Sequence, residues 1–311
     1  MEYYFIINPL AASGRSAVIW RDLKQYLEKR MIPFEAYMTS HTNHASELAM
    51  QLTSGKEKHK EKTIIVVGGD GTLNEVINGM RISANVTIGY IPAGSGNDFA
   101  RGMKISKRPK KALKRILQPQ SIKWIDYGTL AYMNGTLQHR RFVVSSGMGY
   151  DADVCEELFY SSTKKFFNRI HLGRLAYVGI GLKKVLIRRP FDCTIELDGV
   201  RKIPLKNVSF ISIHNQALEG GGFLFAPKAK PDDGVFDICI VTGASKFRLI
   251  KILFWSLTGK HINKKSVRQY QCSEFSIKSN RLSTVHADGE ICGYLQEVSY
   301  ICENKKIRMI V

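Results

Sequence analysis

The sequence has no run of about 18 uncharged apolar residues, which excludes a membrane-spanning helix. The nearest approach, Leu249–Leu257, is short and is broken by Lys251. No basic stretch followed by a long apolar segment opens the chain, so no signal peptide is expected. The six cysteines (155, 193, 239, 272, 292 and 302) never take Cys-x-x-Cys spacing. That argues against a zinc centre or a disulfide framework and fits a reducing cytoplasm. Both common nucleotide fingerprints are missing: there is no G-x-x-x-x-G-K-[ST] loop, and no G-x-G-x-x-G follows the first predicted strand. Gly94-Ser95-Gly96 comes closest, but Phe99 stands where the third glycine belongs. No internal repeat or low-complexity segment occurs.

Negative charge is also missing from long stretches. No carboxylate lies between Asp98 and Asp126, between Glu157 and Asp192, or between Asp237 and Glu274. These windows hold 9, 8 and 7 Lys+Arg, within a chain of net charge +19. Uniform placement would put roughly eight acids in them. Two readings follow: solvated basic faces, or a surface that meets a polyanion, either nucleic acid or anionic lipid.

What is present is an ordinary globular composition: 311 residues, 44% hydrophobic and 23% charged. That length suits one large domain or two ordinary ones. The first 125 residues alternate strand and helix. Strands are predicted at Tyr3–Asn8, Phe34–Met38, Thr63–Val67 and Val86–Ile91. Helices are predicted at Ser16–Arg30 (apolar stripe Val18, Leu23, Tyr26, Leu27), His44–Leu52 and Thr72–Met80. This pattern predicts a doubly wound, mostly parallel α/β sheet, with ligands at the carboxyl ends of its strands. After Trp124 the segments become short and β-like, which predicts an antiparallel β-sandwich. Two helical insertions, near Leu172–Ile187 and Lys246–Leu257, interrupt it and fall in the basic windows.

The densest signal is Gly68-Gly69-Asp70-Gly71-Thr72-Leu73-Asn74-Glu75, directly after an apolar strand. Strand, glycine turn and helix N-terminus make an amide-lined anion site. Thr72-x-x-Glu75 predicts a capping box that starts the helix. Asp70 is out of place, because a carboxylate in a phosphate turn repels phosphate unless a cation lies between them.

Four pieces occur in order: Asn8-Pro9 followed by Ser13-Gly14-Arg15; Gly68–Glu75; Ile91-Pro92-Ala93-Gly94-Ser95-Gly96-Asn97-Asp98-Phe99-Ala100-Arg101; and Asp288-Gly289-Glu290. Together they resemble the catalytic family of diacylglycerol kinases, most nearly its soluble bacterial lipid kinases. Sphingosine and ceramide kinases are more distantly similar. The resemblance covers essentially the whole chain. The glycine–aspartate motif alone is shared with NAD kinases and phosphofructokinases.

The resemblance implies a nucleotide-binding α/β domain over residues 1–125, with a C-terminal return at about 297–311. It implies a β-sandwich lipid-substrate domain over 126–296, with the active site between the two. It implies ATP and Mg²⁺, and phosphoryl transfer to a lipid hydroxyl. Asn8, Thr39, Gly68, Gly69, Asp70, Gly71, Thr72, Leu73, Asn74 and Ser95 are the implied ATP contacts. Thr39 ends a strand, where a surface threonine is an equal reading. Asn8 also suits the turn before Pro9.

Asp70, Asp98 and Asp126 form a possible carboxylate group for a hydrated Mg²⁺. Asp98 also reads as a helix N-terminal residue, and Asp126 as an interdomain one. In Lys228–Asp237 the resemblance places a second metal on Asp233 and the carbonyls of Lys230 and Val235. An ordinary Asp-Gly turn is the alternative. Glu290 is the implied general base, joined by Asp70 as catalytic; Asp288 competes, and His286 reads as structural. Asn215–Phe223 and Ser146–Asp151 have no chemical assignment.

The implied setting is cytoplasmic and peripheral at the inner membrane surface, with a homodimer as a family-based expectation. Lys164-Lys165-Phe166-Phe167 and Phe247–Trp255 mix cations with apolar residues as interfacial segments do. An NAD kinase-like enzyme and a non-enzymatic nucleic-acid binder are the competing readings. No nucleic-acid motif supports the latter.

Overall fold

A computed structural model describes residues 2–54, 60–160 and 173–311. The expected interfacial segment Lys164–Phe167 lies outside them. The chain divides into two compact units, Met1–Ile125 with Lys305–Val311, and Asp126–Asn304.

In the first unit the elements follow β1 (Glu2–Ile7), α1 (Arg15–Glu28), β2 (Glu35–Met38), α2 (His44–Thr53), β3 (Lys62–Gly68), α3 (Asp70–Gly79), β4 (Val86–Pro92), α4 (Asp98–Gly102), α5 (Pro109–Leu117) and β5 (Ile122–Ile125). The chain's last strand, β15 (Ile307–Ile310), completes the sheet in the order β2-β1-β3-β4-β15-β5. All neighbours are parallel except β15 and β5. β3 and β4 are buried along their whole length, as parallel strands covered on both faces must be.

Two local expectations need correction. The buried stripe of α1 is Ser16, Trp20, Leu23 and Leu27, while Val18 is 50% exposed. Val18 lies about 200° around the helix from Trp20, and the indole fixes the choice by packing on Phe5 and Phe34. The capping box is absent. Helix α3 begins at Asp70, with extended Gly69 as its uncapped N-cap. Thr72 Oγ1 instead accepts from Asn8 Nδ2 (3.2 Å), and Glu75 Oε2 accepts from the Ala45 amide in the first turn of α2 (3.2 Å). Both side chains therefore tie α3 to neighbouring elements.

The second unit contains β6 (Gly128–Asn134), β7 (Thr136–Phe142), β8 (Ser145–Gly149), α6 (Tyr150–Tyr160), α7 (Gly173–Ile187), β9 (Phe191–Leu197), β10 (Arg201–His214), β11 (Phe236–Thr242), α8 (Lys246–Ser256), β12 (Val267–Cys272), β13 (Glu274–Ala287) and β14 (Glu290–Cys302). The strands are antiparallel, ordered β12-β11-β10-β8-β13-β14-β6-β7. Both β8 and β9 lie between the long strands β10 and β13, at opposite ends of them. Register shifts at Val208–Phe210 of β10 and Lys278–Ser283 of β13 fall where one pairing gives way to the other. The sheet thereby closes on one core that includes Phe142, Met148, Ile195, Ile211, Ile238, Phe275 and Val298. A second cluster, with Tyr150, Val185, Phe210, Leu249 and Ile252, seats the helices on the sheet.

Candidate functional site

The carboxyl ends of β1, β3 and β4 gather the predicted nucleotide residues of the first unit. The Asn8 amide donates to Val67 O (3.0 Å), Thr39 N to Ile7 O (2.8 Å) and Ala93 N to Gly68 O (2.7 Å). Glycine is required here by contact. A Cβ on Gly94 would stand 2.4 Å from the Gly69 Cα, and one on Gly68 would stand 2.6 Å from Thr72 Oγ1. The first amides of a helix have no intrahelical acceptor, and no side chain caps α3, so its N-terminus is suited to an anion. Leu73 and Asn74 are buried, and Asn74 Oδ1 accepts from Asn78 Nδ2 (3.1 Å). Ser95 is exposed in the loop after β4.

The misfit of Asp70 has a geometric answer. Its carboxylate turns toward α4, where Oδ2 accepts from the Asp98 amide (2.9 Å) and Oδ1 from the Phe99 amide (3.3 Å). The charge thus rests on the N-terminus of a second helix. Tyr90, which sequence reasoning missed, is buried beneath it, and its hydroxyl lies 3.5 Å from Asp70 Oδ1 and 3.4 Å from Asn97 Oδ1. Burial, reinforced by the Asp70 charge, holds that phenol well above its ordinary pKa, so it stays a donor.

Asp98 Oδ1 accepts from Arg101 Nη1 (2.7 Å). Its Oδ2 and that of Asp70 both approach the place a Cβ on Gly96 would fill, at 3.7 and 3.4 Å. Two carboxylate oxygens around a small cradle are a donor set that fits Mg²⁺.

Asp126 belongs to the second unit and is 1% exposed. Its amide donates to Pro231 O and its Oδ2 accepts from the Gly234 amide, both at 2.7 Å. It fastens the loop carrying Lys230, Asp233 and Val235. Asp233 is exposed, and its Oδ1 lies 3.4 Å from the Val235 amide.

Asp288 and Glu290 take different environments. Asp288 (φ 49°) and Gly289 (φ 84°) form the two-residue turn between β13 and β14, the positive-φ geometry for which Asp-Gly is suited. The Asp288 carboxylate accepts from three amides, Val143 (3.0 Å), Val144 (2.8 Å) and Ser145 (3.1 Å). Glu290 opens β14 half-buried, and its carboxylate has no hydrogen bond or ion pair among the described residues.

The two unassigned motifs meet in one buried network. His286 Nε2 lies 2.9 Å from Asp151 Oδ2 and 3.5 Å from Glu219 Oε1. His214 Nε2 lies 3.3 Å from Glu219 Oε2 and also contacts Ser212 Oγ. Burial would raise the Asp151 carboxyl, but its interactions with His286 outweigh that and hold it below the usual range. Burial pushes His214 down to about 4. Asp151, Cys155 and His286 bring ligand-type atoms within 4.8 Å of one another, but the closest pair is already spent as a hydrogen bond. Sequence reasoning missed the network because its members are far apart in the chain; the Asp151 and Glu219 motifs were the available signal.

Comparison with known proteins gives a consistent picture. Residues 2–130 match the model of the diacylglycerol kinase catalytic domain, and residues 144–310 match the YegS C-terminal NAD kinase beta sandwich-like domain. The chain is 31% identical over 295 residues to the protein YtlR of Bacillus subtilis, covering 94% of each. It is 30% identical to the diacylglycerol kinase of the same organism, covering 93% of this chain and 90% of that one. In fold it is similar to a diacylglycerol kinase from Bacillus anthracis (TM-score 0.71, 20% identity, 99% and 96% covered).

Proposed function

The chain belongs to the diacylglycerol kinase family and is a lipid kinase, and we propose that it moves the γ-phosphoryl group of ATP to the hydroxyl of diacylglycerol, giving phosphatidic acid. The observation that carries the ATP half is the paired helix ends: α3 is uncapped toward an anion, while Asp70 beside it is drawn onto α4. Phosphate and carboxylate can then share one turn. Asn8, Thr39, the Gly68–Asn74 backbone and Ser95 bind and orient the nucleotide. Phosphoryl transfer asks for positioning and charge neutralisation more than covalent help from the protein.

Asp70 and Asp98 would hold Mg²⁺, which when bound would supply charge neutralisation at the phosphates. Asp126 acts as the anchor of the Asp233 loop. That loop would hold a second cation through Asp233 and the carbonyls of Lys230 and Val235. Glu290 takes the proton as the lipid oxygen bonds to the γ-phosphorus and the bond to the β-phosphate oxygen breaks, leaving ADP. Its half-buried carboxylate, unpaired among the described residues, suits that role.

The enzyme meets its lipid at an anionic membrane surface. On α8, Leu249, Ile252 and Ser256 are buried, whereas Phe247 and Phe254 are 81% and 72% exposed among Lys246, Arg248 and Lys251. Exposed aromatics among cations suit an interface with acidic lipids. No helix of the described residues is long and apolar enough to cross a membrane.

The test is phosphate transfer from ATP with Mg²⁺ to diacylglycerol in mixed micelles, with other lipid alcohols and NAD as parallel acceptors. Phosphatidic acid as the preferred product supports the reading. Transfer to a sphingoid base or polyprenol alone would change the acceptor, and transfer to NAD alone would overturn the lipid assignment.

A further inference from the structure

His286 has a place in the chemistry that neither its sequence position nor its burial reveals. Its two ring nitrogens face different partners. The Gly289 amide donates to Nδ1 (3.1 Å), and Nε2 lies 2.9 Å from Asp151 Oδ2. An amide donor on Nδ1 requires a lone pair there, so the proton sits on Nε2 and is given to Asp151. The ring is thereby fixed in one tautomer and one orientation.

Gly289 lies in the two-residue turn that delivers Glu290. The far side of this turn is held by Asp288, whose carboxylate accepts from the Val143, Val144 and Ser145 amides. The near side is held by His286. Glu290 follows directly, paired across the hairpin with Ala287, and its own carboxylate is left without a protein partner among the described residues. A base that makes no anchoring bond of its own has to be aimed by its backbone. A misplacement of about 1 Å can cost two orders of magnitude in rate.

We propose that His286, oriented by Asp151, is a positioning residue that aims Glu290 through the Gly289 amide. This rests on Glu290 being the base. It also gives the Ser146–Asp151 motif a purpose: Asp151 sets the tautomer of the histidine. Gly147 leaves the room for this, because a Cβ there would stand 2.4 Å from Asp151 Oδ2 and 2.9 Å from His286 Nε2.

Two near-isosteres separate the two nitrogens. In His286→Asn the amide oxygen takes the place of Nδ1 and still accepts from Gly289. In His286→Gln the amide reaches the place of Nε2 and Asp151 but offers Gly289 nothing. Measured with ATP, Mg²⁺ and diacylglycerol micelles, H286Q is expected to lose about tenfold or more in kcat, with KM for ATP unchanged within about twofold. H286N is expected to keep kcat within about threefold. Equal losses in both variants, or an unaffected H286Q, would overturn the proposal.

Glu290→Gln separates its failure from that of the base assignment. An inactive E290Q with a fully active H286Q removes the positioning role alone; a fully active E290Q removes the base. With both intact, adding H286Q to E290Q produces no further loss, because the effect runs through the missing carboxylate. A readout on the unaltered protein guards against variants that fail to fold. The ¹⁵N shifts of the His286 ring are expected to show a protonated Nε2 and a bare Nδ1. The opposite tautomer or an imidazolium would overturn the proposal.

Discussion

The Asp98 amide donates to the Asp70 carboxylate at 2.9 Å, so the aspartate of the glycine turn serves as the acceptor for the next loop's helix. One residue thus joins the Gly68–Glu75 turn to the Gly94–Asp98 loop and keeps its charge on the N-terminus of α4. Asp70→Ala removes the acceptor for two amides. Stability should fall by about 1–3 kcal/mol, and turnover by at least about a hundredfold. Asp70→Asn should recover part of the stability without the turnover. Thermal unfolding and single-turnover transfer, run on the same preparations, check both.

Asp288→Ala and Glu290→Gln should separate structure from chemistry two residues apart. The first strands three amide donors and should cost about 2–3 kcal/mol. The second removes no hydrogen bond among the described residues and should leave the unfolding midpoint nearly unchanged, while turnover falls by about a hundredfold. Denaturant titration alongside kinetics distinguishes them.

Gly94→Ala puts a methyl group 2.4 Å from the Gly69 backbone. The two turns must then separate, at a cost of about 1–3 kcal/mol. The expected signature is a raised KM for ATP, because the turn proposed to hold the nucleotide is displaced. A compensating change cannot come from side-chain repacking, since both partners are backbone.

Phe247→Ser with Phe254→Ser removes two exposed rings from α8. The unfolding midpoint should stay put, because neither ring contributes to the core. Co-sedimentation with vesicles containing acidic phospholipid should weaken by about tenfold or more. Neutral vesicles should bind poorly throughout, and added salt should weaken the wild-type protein.

Acid should destabilise the second unit through His214. Its folded pKa is pushed down to about 4 from an ordinary value of 6.5, so the unfolded chain binds the proton more readily. Stability is then complete above about 6.5 and declines as pH falls toward 4, by roughly 3 kcal/mol at most. Denaturant midpoints across that range, for the wild type and His214→Gln, test this. The variant should show the shallower decline.

Much of the architecture was legible in the residues. β-branched runs, the first ending in glycine and the second in Pro92, marked β3 and β4, because parallel strands covered on both faces must be apolar throughout. The Gly68–Glu75 and Pro92–Arg101 motifs marked two loops at the carboxyl end of one sheet. The stripe of α1 was harder to read, because Trp20 and Val18 are both apolar and only the position of Phe5 and Phe34 chooses between them. The capping box failed for a related reason. Thr72 and Glu75 have the right spacing, but Asn8 just after β1 and the Ala45 amide of α2 outcompete the local bonds.

By itself, then, the sequence determined the alternation of strands and helices, the glycine turns and the family. These depend on local spacing and backbone conformation, which neighbouring residues carry. Tertiary structure alone decided which carboxylate does what. Asp288 became a backbone anchor and Glu290 stayed unpaired among the described residues, though both flank the same glycine. Asp151, Glu219 and His286 became one network although the chain keeps them far apart. Hydrogen-bond partners are chosen by proximity in space, and β10 and β13 create that proximity only when the sheet has closed.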